Sequence, residues 1–519
     1  MNDTDIRPRC AIDLVDRTSS HRPSLLFRPG CWITGLTALP LLVGGLYFGV
    51  DWAGKRQLER AQARLAADGL DLDALTRLPP RPPDSENFAA TPLLRGIAQG
   101  TVSGPAWEGA KRIGSWTSGS PGPSPRLRSP NDPAPTDWAT VHEAARTAHP
   151  SAGLVQGDPN PVPALWNWVQ SELDPATAEL QSVLDRPAAI LIPSELEQIT
   201  RSSTPDASAP DYSALLRLAI AYRHRAALAV ERKDGTALVD SIRLVLKLAQ
   251  AARSESEMLG TMIGWAALRS AQEGMWNAAE ARILSGEGWR SLGAHWRECR
   301  PLERFDDSLR RVIAISHLRH TRWWRHQPAE YLQWIGEVEP DSWQEQAAPL
   351  IPPGWVDAAH AAWLSEIQLL RHRIADTSIL DRYNLDDWVA SRVSDARFPS
   401  PDVGARDLLD GISNLHERVA SYHAVARLAE AACALEAHFA EHQTYPVSLE
   451  HLVPEFLVSV PLDLDGQPVR YAPAAANGRY KLWSLGTNGV DDGGVAKPSG
   501  KFKSVWNGPS GDWVWQYPP

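Results

Sequence analysis

Three groups of residues in this chain have side chains suited to chemistry. His317, His320 and His326 fall in HLRHTRWWRHQ, and His317 and His320 stand three apart, which places both on one helix face. Such a pair holds a metal when a carboxylate or a further ligand completes it, and none is near in sequence. The plainer reading is a solvated, cationic helix end with Trp323 and Trp324 packed beside it. Arg and Trp also favour anionic lipid headgroups, so the same stretch could touch a membrane surface. The second group is His295, Asp306 and Asp307 with His317, the residue types of a metal-dependent hydrolase. The chain has no G-x-S-x-G, H-E-x-x-H, P-loop or Rossmann fingerprint to support that chemistry. The third is an acidic, glycine-rich run near the end: Asn488, Asp491 and Asp492 among Gly486, Gly489, Gly493 and Gly494, followed by Asp512. By itself it reads as a solvated turn.

The chain is 519 residues long, more than one compact core usually holds. Its net charge of −10 argues against a nucleic-acid binder, which needs a concentrated basic surface. Of the four cysteines, Cys10, Cys31, Cys299 and Cys433, none forms a C-x-x-C pair. Cys299 and Cys433 read as two buried free thiols, with a disulfide as the alternative. The 22 tryptophans include Trp265, Trp276, Trp289, Trp296, Trp334, Trp343, Trp355 and Trp363, whose spread fits helix cores better than an aromatic groove for glycan.

The elements that must position these residues start with an anchor. Residues 1–30 are polar and carry Arg7, Arg9, Arg17, Arg22 and Arg28. Cys31 to Val50, CWITGLTALPLLVGGLYFGV, contains no charge, and as a helix rises roughly 30 Å, the thickness of a bilayer core. Trp32, Tyr47 and Trp52 suit the interfaces, and no small-x-small cleavage site follows. Residues 31–51 are therefore expected to be a retained transmembrane signal anchor contacting membrane lipid. Lys55, Arg56, Arg60 and Arg64 follow closely, so the positive-inside rule biases the orientation only slightly. Residues 1–30 are assigned to the cytoplasm.

Residues 52–100 read as a juxtamembrane helix ended by Asp68-Gly69, then a Pro-rich, extended passage, LPPRPPDSENFAATPLL. Residues 101–163, rich in Ser, Pro and Gly, read as a flexible linker. Residues 164–400 read as a helical bundle or short irregular solenoid, with helices at 164–173, 175–186, 211–232, 236–253, 256–283, 302–326 and 355–375. The clearest pair carries Leu215, Leu218, Ala219, Tyr222 and Ala226 on one stripe and Leu238, Ile242, Val245 and Leu246 on the other, joined by Asp234-Gly235. No 34-residue repeat is present, which argues against a tetratricopeptide array.

A long helix is expected from Arg406 to about His442, broken at Tyr445-Pro446, then a short helix capped by Ser448. Three strands follow: Gln467 to Tyr471, the alternating RYKLWSL after Asn477-Gly478, and the segment of Trp513, Trp515 and Tyr517. The expected fold class is thus mostly α, with a C-terminal α+β module of one long helix and a small antiparallel sheet.

Residues 405–519 resemble the globular domain of type II secretion pseudopilins of the major (G-type) class. The resemblance rests on Tyr445-Pro446, Leu449/Leu452-Val453-Pro454, Asp463 with Gly466 and Pro468, Tyr471, the run from Leu482 to Gly489, and the late Asp512. It implies a calcium site in the loop, with Asn488, Asp491, Asp492 and Asp512 as ligands. The chemistry suits calcium, which takes six to eight oxygens on a loop able to bend around it. Asn488 stands where the family usually has Asp, which lowers the ligand charge. The apolar segment 31–50 lacks the glutamate of a pilin helix and lies more than 350 residues before the module, so the chain is not expected to polymerise as a pilin. The whole layout also resembles a set of membrane-anchored bacterial proteins to which no activity is attached.

Together these readings give an expectation of a non-enzymatic envelope protein, single-pass in a bacterial inner membrane with its body in the periplasm. The helical domain would be an interaction platform. The pilin-like module would dock envelope or secretion-machinery proteins, and no nucleic acid is bound. The alternatives are the metal-dependent hydrolase and a glycan-binding envelope protein.

Overall fold

The structure is a computed structural model that describes residues 29–78, 80–115, 127, 134–202, 210–254, 258–302, 305–334, 339, 341–376, 403–473, 478–486, 489–495 and 511–517. Side chains at 29–39, 195, 258, 334, 344, 374–376 and 403–418 lie outside that description. The described chain is mostly helical, with one small sheet near the C-terminus.

Helix α1, Pro29–Ala67, runs without a break through the expected anchor and the expected juxtamembrane helix. Its upper part is bare: Leu41, Leu42, Val43, Leu46, Phe48 and Val50 are all exposed. Its lower part buries Leu58, Ala61 and Leu65. It ends as expected at Asp68-Gly69, where Gly69 takes φ +76° and the Leu70 amide donates to the Leu65 carbonyl at 2.9 Å. Among the described residues no helix is long and apolar enough to cross a membrane. The side chains of 31–39, part of the expected anchor, are not described.

The Pro-rich passage does not space a domain away from α1. Asp84–Glu86 and Phe88–Ala90 are 3-10 turns and Pro92–Ala98 is a helix. Phe88, Leu94 and Ile97 are fully buried in the main core. Asn87 fixes the segment: its Oδ1 accepts from the Ala89 and Ile190 amides at 3.1 and 2.9 Å, and its Nδ2 donates to the Ile190 carbonyl at 2.9 Å. The expected flexible linker likewise contains two packed helices, α2 (Pro105–Ser115) and α3 (Trp138–Ala148). A Cβ on Gly109 would overlap the Glu172 carbonyl, so α2 lies directly against its neighbour. Composition hid this because Trp107, Ala110 and Ile113 carry the burial between polar flanks. Residues 116–126 and 128–133 of that stretch lie outside the described residues.

Next come α4 (Pro161–Gln181), α5 (Tyr212–Glu231), α6 (Gly235–Arg253), α7 (Met258–Ala281), α8 (Gly286–Glu298) and α9 (Phe305–Arg319). The expected split of α4 before Pro175 does not occur. Leu173, Ala176 and Leu180 are fully buried across that point, and their burial offsets one lost backbone hydrogen bond. α5 and α6 form the expected hairpin, with Asp234 capping α6 through a 2.9 Å bond from the Ala237 amide.

Helix α10, Pro353–Asp376, packs along α1, and α11, Val403–His442, packs on α8, α10 and α7. The α1/α10 pair is parallel. Asp51 accepts from the Gly354 amide at 2.9 Å, Arg64 donates to Ser365 at 3.3 Å, and Asp68 meets Gln368 and His372. The sheet has order β1 (Arg470–Ala472), β2 (Lys481–Ser484), β3 (Trp513–Trp515), antiparallel throughout. Leu482 and Ser484 face inward on β2, the alternation expected there. The stretch after Ser448 is a 3-10 turn, Leu449–Leu452, without a side-chain cap from that serine.

One hydrophobic core runs from Leu58 on α1 to Tyr517 after β3, so the C-terminal module is built into the helical body. A satellite core gathers Ile199, Ile315, Trp323, Trp324, Tyr331, Leu332, Ala348 and Val356. Trp265, Trp276, Trp289 and Trp296 are fully buried core residues and cannot line a glycan groove. Cys299 and Cys433 are buried and free; Cys10 lies outside the described residues, and the side chain of Cys31 is not described.

Candidate functional site

Two clusters of polar side chains contain the residues that the sequence singles out. The first joins the end of α9 to α10. After Arg319 the helix widens into one π-helical turn, His320–Trp324. This turns His320 inward, and π-turns of this kind recur at functional sites. His320 Nε2 donates to Asp357 Oδ1 at 2.9 Å, and Arg325 Nε reaches both oxygens of Asp357 at 3.0 and 3.1 Å. The His360 ring stacks on His320 at 4.3 Å between centroids and on His317 at 5.6 Å. Its Nε2 lies 3.4 Å from His317 Nδ1.

The electrostatics follow from burial. His320, Asp357 and His360 are almost wholly inaccessible and His317 is 8 % exposed. Burial, helped by the neighbouring His320 ring, pushes His317 down to about 4 and His360 well below its ordinary value. Burial opposes ionisation of Asp357, yet hydrogen bonds from His320 and Arg325 hold its carboxyl below the usual value. The result is that His317 and His360 stay neutral beside one ionised, paired carboxylate. His320 Nδ1 has no hydrogen-bond partner among the described residues. The network clamps α9 to α10 with its hydrogen-bonding capacity largely used.

The stretch expected as a solvated, cationic helix end is therefore interior. Trp323 and Trp324 are 6 % and 3 % exposed and cannot lie in a headgroup layer. The missing carboxylate and third imidazole come from Asp357 and His360, a D-x-x-H on another helix that matches the H-x-x-H spacing. That shared spacing was the available signal. The hydrolase set does not assemble. His295 Nδ1 donates to the Ser291 carbonyl at 2.8 Å, and Asp306 is committed to Arg310 and Arg371. Among the described residues no hydrogen bond joins His295 to Asp306, Asp307 or His317.

The second place is the loop between β2 and β3. Asp463 organises its base: it accepts from the Leu464 and Leu485 amides at 2.8 and 3.0 Å, from the Ser484 hydroxyl and from Arg470. Arg470 also pairs with Asp465. In the loop, Asp491 Oδ1 accepts from Trp483 Nε1 and the Gly493 amide, both at 2.9 Å. Asp512 Oδ2 accepts from the Gly494 amide at 2.7 Å. Asp512 is buried, and its Oδ1 has no partner among the described residues. Burial raises its carboxyl above the ordinary value, and the charges of Asp491 and Asp492 add to that rise. Gly489, Gly493 and Gly494 take positive φ, as the bend requires.

Asp491, Asp492 and Asp512 thus repel one another, the condition a bound cation relieves. Lys481 Nζ already donates to the Gly493 and Gly494 carbonyls at 2.8 and 3.3 Å, taking oxygens a metal would use. Asn488 lies outside the described residues. Among the described residues no group of three or more His, Cys, Asp or Glu gathers as ligands of one ion.

Comparison with family models, with curated proteins and with solved structures yields no match to this chain.

Proposed function

We infer that the chain is a membrane-anchored, non-enzymatic scaffold of a bacterial envelope. Residues 31–51 cross the inner membrane once, 1–30 stay in the cytoplasm, and the body stands in the periplasm. The observation that carries this reading is the bare apolar rod of α1. Residues 40–50 are exposed on every side, while further along the same helix one face, with Leu58, Ala61 and Leu65, is buried. Water-exposed apolar surface of that extent is unfavourable, and a bilayer removes the penalty. The full-length protein is expected to stay with membranes after a carbonate wash and its body to be cleaved by protease added to spheroplasts. Release by carbonate overturns the reading.

The C-terminal module supports a docking role for secretion or pilus-type machinery. Its long helix, three-stranded antiparallel sheet and acidic loop are the parts that the pseudopilin resemblance implies, and Val447, Val458 and Leu462 leave apolar side chains on its outer surface. Crosslinking followed by detergent extraction is expected to recover envelope partners that are lost when Val447 and Val458 become Glu. Calcium in the loop is part of the same proposal, with Asp512 Oδ1 the carboxylate oxygen it would claim. Millimolar calcium is expected to raise the melting temperature of the full-length chain, and Asp512→Asn to abolish the shift.

A further inference from the structure

The α1/α10 pairing fixes which part of the body faces the bare rod. Gly354, in the first turn of α10, touches Val50 and Asp51, where the rod ends. α10 then runs parallel to α1 and away from the rod, as the Arg64–Ser365 and Asp68–Gln368 contacts require. The chain therefore enters α10 level with the rod's end. Four peptide units span at most ~14 Å, so Leu350 cannot be far from that level.

That segment is built outward from a fixed base. Trp343–Ala347 is a short helix and Ala348–Leu350 a 3-10 turn. Ala348 is fully buried in the satellite core and Ile351 packs against it. Trp343 and Leu350 lie outside this satellite core and are 72 % and 77 % exposed. Trp52, 55 % exposed with the Arg56 guanidinium 4.8 Å above its ring, stands at the same end of the rod. Residues 341–353 contain Asp341 and Glu345 and no Lys or Arg, so this edge itself carries no charge that attracts anionic phosphates.

We propose that the Trp343–Leu350 edge is an interfacial foot, inserted into the headgroup–acyl boundary of the bilayer that α1 crosses. The proposal rests on the anchor reading above. Trp at the interface and a Leu reaching the acyl region are the side chains such a boundary takes. The foot and the rod together give the body two attachments, which sets its tilt on the membrane.

The test uses the full-length chain with Cys10 and Cys31 replaced by Ala, reconstituted in phosphatidylcholine vesicles. Single cysteines at Trp343→Cys, Leu350→Cys, Leu42→Cys and Val155→Cys carry an environment-sensitive fluorophore; Cys299 and Cys433 are buried and do not label. Nitroxide near the headgroup is expected to quench positions 343 and 350 about twofold more than position 155, and deep nitroxide to quench position 42. Adding phosphatidylglycerol leaves the values unchanged. Quenching at 42 with 343 and 350 as bright as 155 overturns the foot and leaves the anchor standing. No quenching at 42 overturns both. Quenching at 343 and 350 that needs the anionic lipid overturns the apolar basis of the foot.

Discussion

Gly54 of α1 and Gly354 of α10 meet backbone to backbone, and a Cβ on Gly54 would overlap the Gly354 carbonyl. The contact joins the rod-bearing helix to the body without a linker. Gly54→Leu is expected to cost about 3 kcal/mol, because neither main chain can yield as a side chain would. Urea unfolding of detergent-solubilised protein measures it. Gly45→Leu, with nothing within 4 Å, is the control and leaves stability unchanged.

Asp357→Ala is expected to destabilise the protein by about 3–5 kcal/mol, since it strands Arg325 and removes the acceptor of His320 in a buried site. The loss is read as a lower urea midpoint. A change below 1 kcal/mol would mean that the α9–α10 clamp is not held by this carboxylate.

Buried imidazoles make the fold sensitive to acid. His317 is held at about 4, His224 and His423 at about 3, and His360 well below its ordinary value, chiefly by burial. In the unfolded chain each takes a proton near 6.5. As pH falls below 6.5 the unfolded state gains protons that the folded state refuses, so stability is complete above that pH and drains toward pH 4. Each histidine contributes about 1.4 kcal/mol per pH unit in that window. His317→Asn is expected to lower the proton uptake on unfolding at pH 5 by one.

Glu436 works in the other direction. Burial raises its carboxyl to about 7, against about 4.5 when unfolded. Tyr445 donates to Glu436 Oε1 at 3.1 Å, and Arg479 approaches it at 3.9 Å. The folded state keeps a proton that the unfolded state has lost, so this group's contribution is full below 4.5 and is lost as pH rises to 7. Glu436→Gln is expected to gain about 3 kcal/mol relative to the natural chain between pH 4.5 and 7.5. Equal stability differences at the two pH values would show that folding does not raise the Glu436 carboxyl.

Residues 405–519 are not expected to fold alone. Trp276 Nε1 on α7 donates to the Gln516 carbonyl at 2.9 Å, Arg479 donates to the Ala279 and Glu280 carbonyls, and α11, packed on α8, is largely buried between Val419 and Ala437. The isolated segment should show no cooperative thermal transition by circular dichroism. A sharp transition would make it an independent domain.

Much of the fold was legible in the sequence, and the exceptions have physical causes. The α5/α6 hairpin announces itself through two apolar stripes and an Asp-Gly turn, and β2 through strict alternation. Helix α8 was missed because Gly286, Gly288 and Gly293 depress helix propensity, although Trp289, Leu292 and Trp296 carry the helical period. Gly293 is there to admit Cys433 of α11, whose Cβ lies 3.2 Å from where its own would be, a reason no local pattern states. The Pro-rich passage misled because its composition suits an extended spacer, while Asn87 ties it to Ile190, 103 residues away. At the candidate site the imidazoles were visible, but their carboxylate belongs to a helix 37 residues later, and only folding makes the pair.

The Asp51–Gly354 contact joins residues 303 positions apart, which bears on how the chain is made. At roughly 5–20 residues per second, a ribosome needs about 15–60 seconds between the two. Throughout that interval the face of α1 with Leu58, Ala61 and Leu65 lacks α10, the helix that packs along it most extensively. This part of the core therefore closes late, only after two-thirds of the chain has been made.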